Sequence, residues 1–173
     1  MKRLLAIALI LGVGLTVSYG QQIQKFATIR DDPIGKVSSV IGQVWLKHNS
    51  AIHPAFITTS KAIKIGDFIY IGDVIKLDFD ARLNLVFVDM TTLTLERGAV
   101  MEINEFIYNP HGHKNESLMS LSQGTFNFIV GKIGHTGNMK VHTPVGTISI
   151  RGAPRVEILP DGDVKFSTMI EKK

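Results

Sequence analysis

From Ile34 onward, apolar side chains recur at every second position in short runs, and this period of two limits the chain more than any other feature. Leu83, Leu85 and Phe87 alternate with Arg82, Asn84 and Val86. Leu93 and Leu95 alternate with Thr92, Thr94 and Glu96, and Phe126, Phe128 and Val130 with Thr125, Asn127 and Ile129. Met139-Lys140-Val141, Ile148-Ser149-Ile150 and Val164-Lys165-Phe166 repeat the pattern. Side chains two apart share one face of a strand, so each run buries one face and exposes the other. No window after residue 20 carries a helical apolar stripe over three turns. The pattern predicts an all-β domain of many short strands with little helix.

Glycine and aspartate punctuate these runs. Turn candidates include Gly66-Asp67, Gly72-Asp73, Asp78 to Ala81, Asp89, Gly98, Asn109-Pro110, Gly124, Gly131, Thr143-Pro144, Gly152 and Asp161-Gly162. Glycine adopts positive φ without strain, and Asp or Asn bonds its own neighbouring backbone. Ile65-Gly66-Asp67-Phe68-Ile69 is echoed six residues later by Ile71-Gly72-Asp73-Val74-Ile75. Such a step suits either two corners of an antiparallel meander or the rung of a coil. Two packed sheets in a β-sandwich and a solenoid-like coil both remain open.

The N-terminus predicts export. Met1-Lys2-Arg3 precedes an apolar run from Leu4 to Val17, shorter than a membrane-spanning helix requires, and Ser18-Tyr19-Gly20 supplies small residues for cleavage. Residues 1–20 therefore read as a signal-peptide helix, with an uncleaved anchor as the alternative. Residues 21–33, ending in Asp31-Asp32-Pro33, form a lead-in segment, and residues 34–173 one domain. No stable membrane insertion is expected after cleavage, because no second long apolar run follows. The chain has no cysteine, which removes disulfides, thiolate metal sites and cysteine nucleophiles. Net charge falls from +4 to +2 when Lys2 and Arg3 leave with the signal. The remaining basic residues form no stripe, so nucleic acid is not an expected partner.

The residues from about Ile34 to Val164 resemble the FecR family domain, an all-β module of bacterial envelopes. Gly35-Lys36-Val37 and Gly42-Gln43-Val44-Trp45 are similar to its opening strand pair, and Gly66-Asp67 with Gly72-Asp73 to its double corner. Arg82 to Asp89, Leu93-Thr94-Leu95, Gly98 and Met101-Glu102-Ile103 resemble its central meander. Leu121 to Phe126, including Gly124, then Val141 to Ile148 and Ile150-Arg151-Gly152, match its second half. Ala153 stands where the family usually has threonine, and Met90-Thr91 follow Asp89 where it prefers glycine. The resemblance implies a non-catalytic, free-standing exported copy of the domain, in the periplasm or beyond it, that contacts an envelope protein or glycan in signal sensing. Only three residues precede the apolar run, which argues against a direct anti-sigma role.

Several side chains invite chemistry. His111-Gly112-His113 could hold a divalent metal, but metal sites need three or four convergent ligands, and an ordinary loop explains the residues equally. Asp67 and Asp73 could form a carboxylate pair; fixing the turns by accepting backbone N–H bonds accounts for their spacing more simply. No Gly-x-Ser-x-Gly turn is present for a nucleophilic serine. Arg151 could clamp an acidic ligand or pair internally. Trp45 could be core or a stacking platform for a sugar or partner, since Val44 and Leu46 on either side obscure its face. No cofactor is implied. Besides the binding module, two alternatives stay open: a structural component that oligomerises in the envelope, and a metal-dependent enzyme using the His111/His113 loop.

Overall fold

The computed structural model describes residues 32–48 and 61–168. The signal segment and most of the lead-in lie outside the described residues. Among these described residues twelve strands follow one another: β1 (Gly35–Ile41), β2 (Val44–Lys47), β3 (Lys61–Ala62), β4 (Phe68–Ile69), β5 (Val74–Leu77), β6 (Arg82–Phe87), β7 (Thr92–Ile107), β8 (Glu116–Ile129), β9 (Met139–Thr143), β10 (Gly146–Ser149), β11 (Pro154–Ile158) and β12 (Val164–Thr168). Among the described residues one short helix, α1 (Lys132–Thr136), interrupts them. The all-β expectation holds.

Two details differ from that expectation. The strands form one continuous hydrogen-bonded network rather than two separate sheets, and β7 and β8 are long, at 16 and 14 residues. Both differences have one cause. The sequence reading places turns at Gly98 and Gly124, whereas the chain runs through both as strand. Positive φ at Arg97, Gly98 and Gly124, with register shifts between Glu96 and Val100, makes a bulge that bends the pair without reversing it.

The two long strands therefore serve two groups of neighbours. The start of β7 pairs with β6 and its middle with β5; the start of β8 pairs with β9 and its end with β11. One group runs β3-β2-β5-β7-β8-β9-β10 and the other β4-β1-β6-β7-β8-β11-β12. Among the described strands all pairings are antiparallel except β8 with β9, where Ser117 faces Met139. The chain closes that parallel pair by crossing through α1, so coil-like return occurs once among the described strands.

Inward residues of both groups meet in a single core. Leu83, Leu85, Leu93, Leu95, Met101, Ile103, Met119, Phe126, Phe128 and Val156 are fully buried in it. The bend leaves Gly124 pressed on the backbone of Ala99, with no room for a Cβ.

The loop before β7 organises α1. The buried Asp89 carboxylate accepts hydrogen bonds from Thr91 N–H (2.9 Å), Thr91 Oγ1 (2.8 Å) and Ile133 N–H (3.1 Å). Thr91 Oγ1 accepts one from Gly131 N–H at 2.9 Å and the Asp89 C=O one from Lys132 N–H at 2.9 Å, so the helix start is fastened at three donors. Met90, between them, takes φ of 71°.

Candidate binding surfaces

The double corner consists of two turns with the same hydrogen-bond pattern. Asp67 N–H bonds to Lys64 C=O (3.1 Å) and Asp73 N–H to Tyr70 C=O (3.3 Å). Gly66 and Gly72 take φ of 88° and 85° at the third position, as a type II turn requires. Each carboxylate accepts the N–H three residues back: Lys64 to Asp67 at 3.1 Å, Tyr70 to Asp73 at 2.9 Å. Asp67 also meets Lys61 Nζ at 3.3 Å near the surface.

Asp73 differs from Asp67 in being buried. Its second oxygen bonds His48 Nδ1, and the partly exposed imidazole packs edge-on against Tyr70 at 4.9 Å. Burial raises the Asp73 pKa above 3.8, against the opposing pull of the Tyr70 N–H and of His48. Sequence reading passed over His48, since 25 residues separate it from Asp73 and nothing local joins them.

Trp45 lies on the outward side of β2. Val44 and Leu46 are buried while Trp45 and Lys47 are half-buried, which resolves the ambiguous alternation. It stands in register between Ala62 of β3 and Lys76 of β5. Trp45, Lys47, Val74, Lys76 and Asp78 line an open cleft of about 510 Å³.

Arg151 is exposed after β10, and Gly152 beside it takes φ of 71°. The Arg151 guanidinium lies against Gly137, the left-handed residue that ends α1. Among the described residues it makes no ion pair, so the internal carboxylate is not found, and the cleft beside Trp45 does not include it. The His111-Gly112-His113 loop is an exposed turn in which Asn109 Oδ1 accepts the His111 N–H at 3.0 Å. Among the described residues no three His, Asp or Glu side chains come together as metal ligands.

A further surface emerges from register. Phe68, Lys36, Val86, Thr92 and Ile129 face one another in turn across β4, β1, β6, β7 and β8, all on the outward side. Phe68 and Ile129 are more than half exposed, as is Met90. Beside this row Pro33, Lys36, Phe68, Val86, Val88 and Met90 border a groove of about 320 Å³. The sequence signal was present: Val86-Phe87-Val88 is apolar on both faces, where a half-buried strand should be polar on one.

The model of the family described as FecR protein matches residues 73–168, more than half of the chain. The chain belongs to the FecR family. The match begins at Asp73, the last residue of the second corner, and covers both long strands and everything through β12; β1, β2 and the first corner, also part of the resemblance, precede it. No curated protein and no solved structure matches the chain. FecR membership points to a signalling-related role at the bacterial envelope, and no helix among the described residues is long and apolar enough to cross a membrane.

Proposed function

We propose that this FecR domain is a non-catalytic periplasmic module that docks an envelope protein on the groove beside β4. The observation that carries this reading is the set of exposed apolar side chains at Phe68, Met90 and Ile129, with half-buried Val86, which lie outward instead of facing the core. Folding gains nothing from leaving such side chains in water, whereas a partner that covers them gains the burial. The strand β4 that borders the groove has two residues and, among the described strands, pairs only with β1, so little described backbone obstructs an approaching segment. A non-catalytic role agrees with the disposition of the acids: Asp67, Asp73 and Asp89 accept backbone N–H groups rather than facing a cleft.

Photo-crosslinking in the native cell tests the reading, with p-benzoylphenylalanine placed at Phe68, at Met90 and, as a control, at exposed Val145. One discrete envelope-protein adduct is expected from the first two positions, absent at Val145 and abolished by Phe68→Asp. Adducts alike at all three positions would overturn it. An adduct with a second copy of this chain would favour instead the oligomeric reading, for which half-exposed Phe166 on β12 is the motivating observation.

A further inference from the structure

We infer that the outward face of β2 and β5 is a second binding site, for a carboxylate-bearing saccharide, with Trp45 as its floor. Its lining shares no residue with the groove beside β4. Strand pairing sets Trp45 directly opposite Lys76 and puts Lys47 two residues along the same strand, opposite Val74. Cross-strand and same-face neighbours of this kind are close enough for one small ligand to touch all of them. Sheet pairing rather than a loop holds the aromatic and the two cations in their relative positions.

The chemistry of these groups selects the ligand. An indole ring presents an apolar plane with a polar edge, which suits the C–H face of a pyranose ring. Lys47 and Lys76 enter no ion pair among the described residues. Two uncompensated ammonium groups beside an aromatic floor complement a sugar that carries a carboxylate, through charge-assisted hydrogen bonds. Asp78 at the far end of the cleft can accept from sugar hydroxyls and disfavours a ligand charged along its whole length. That last feature separates an acidic sugar from a dense polyanion. The cleft volume, about 510 Å³, lies within the roughly 300–1,000 Å³ range of small-ligand sites.

The chain has one tryptophan, so intrinsic fluorescence reports on this site alone. Titrating the full mature chain with an oligogalacturonide should give a saturable change in Trp45 emission. Calorimetry should return the same affinity, weakening as salt rises. Lys76→Ala, an exposed position, should weaken binding about tenfold, the loss expected for one charge-assisted contact. Trp45→Tyr should keep binding by calorimetry, and Trp45→Ala should lose it with the circular dichroism unchanged. A neutral cello-oligosaccharide of equal length should bind at least about tenfold more weakly. The proposal is overturned if neither probe reveals saturable binding at millimolar ligand. Equal binding of acidic and neutral sugars, or indifference to Lys76→Ala, overturns it too. So does tighter binding of polyphosphate than of the acidic sugar.

Discussion

The rings of Phe87 and Phe106 stack 5.3 Å apart and 18° from parallel, although nearly the whole of β7 separates them along the chain. Phe87 N–H bonds Thr91 C=O at 2.9 Å, which fixes it beside the start of β7; Phe106 sits at the far end. A straight strand would hold those points about 45 Å apart. The bulge at Arg97-Gly98 brings them together, and the stack records how far the strand folds over.

Phe106→Ala should therefore remove a contact that holds the fold closed. It is expected to lower unfolding free energy by about 3 kcal/mol, with a smaller loss for Phe106→Leu. Urea unfolding checks this, provided the slope with denaturant stays unchanged. A loss below about 0.5 kcal/mol, the scale of an ordinary surface substitution, would mean that the rings hold nothing together.

Two glycines with similar backbone angles should respond differently to alanine. Gly66 (φ 88°) has nothing within 4 Å of where a Cβ would go, so Gly66→Ala carries only backbone strain, about 1 kcal/mol. Gly124 (φ 99°) packs on Ala99, and Gly124→Ala must also push β7 from β8. Its loss should exceed that of Gly66→Ala by at least about 1 kcal/mol. Equal melting points for the two variants would contradict the close approach at the bend.

Met90→Gly should stabilise the domain, by about 0.5–1 kcal/mol, because a non-glycine residue held at φ of 71° is strained and this side chain is mostly exposed. Thermal unfolding measures the gain. Since Met90 borders the groove, the same change should weaken partner docking. A variant less stable than the wild type would show that the methionine side chain has a structural role.

Acid titration should single out Asp73. Burial raises its folded pKa above 3.8, so the folded state holds this proton more tightly than the unfolded chain. The contribution of the group to stability is then fully present below 3.8 and is lost as pH climbs through the raised folded value. Asparagine can still accept the Tyr70 N–H but does not titrate. The stability difference between wild type and Asp73→Asn should accordingly shift against the wild type as pH rises from 3.5 toward neutrality. A difference independent of pH, followed by urea unfolding across that range, would remove Asp73 from the titration.

The parts of this fold legible in the sequence are those whose cause is local. Alternation at Leu83, Leu85 and Phe87 specifies a buried face, and each Gly-Asp corner carries both its glycine and its hydrogen-bond acceptor within four residues. What the sequence conceals depends on distant partners. Gly124 looks like a turn until Ala99 is seen beneath it; α1 is too short for a periodic signal and is held by Asp89, 44 residues before Ile133. The face of Trp45 depends on which neighbour β2 pairs with, and the row from Phe68 to Ile129 exists only in register across five strands.

The sharing of β7 and β8 between the two groups of strands also governs how the domain comes apart. Neither group keeps its neighbours if the other frays, since each would lose half of both central strands. Subglobal opening is thereby confined to the margins, β3, β4, β10 and β12, while the amides of the two central strands exchange with solvent only when the whole domain melts. Calorimetry should record one transition, with the enthalpy of a single cooperative unit.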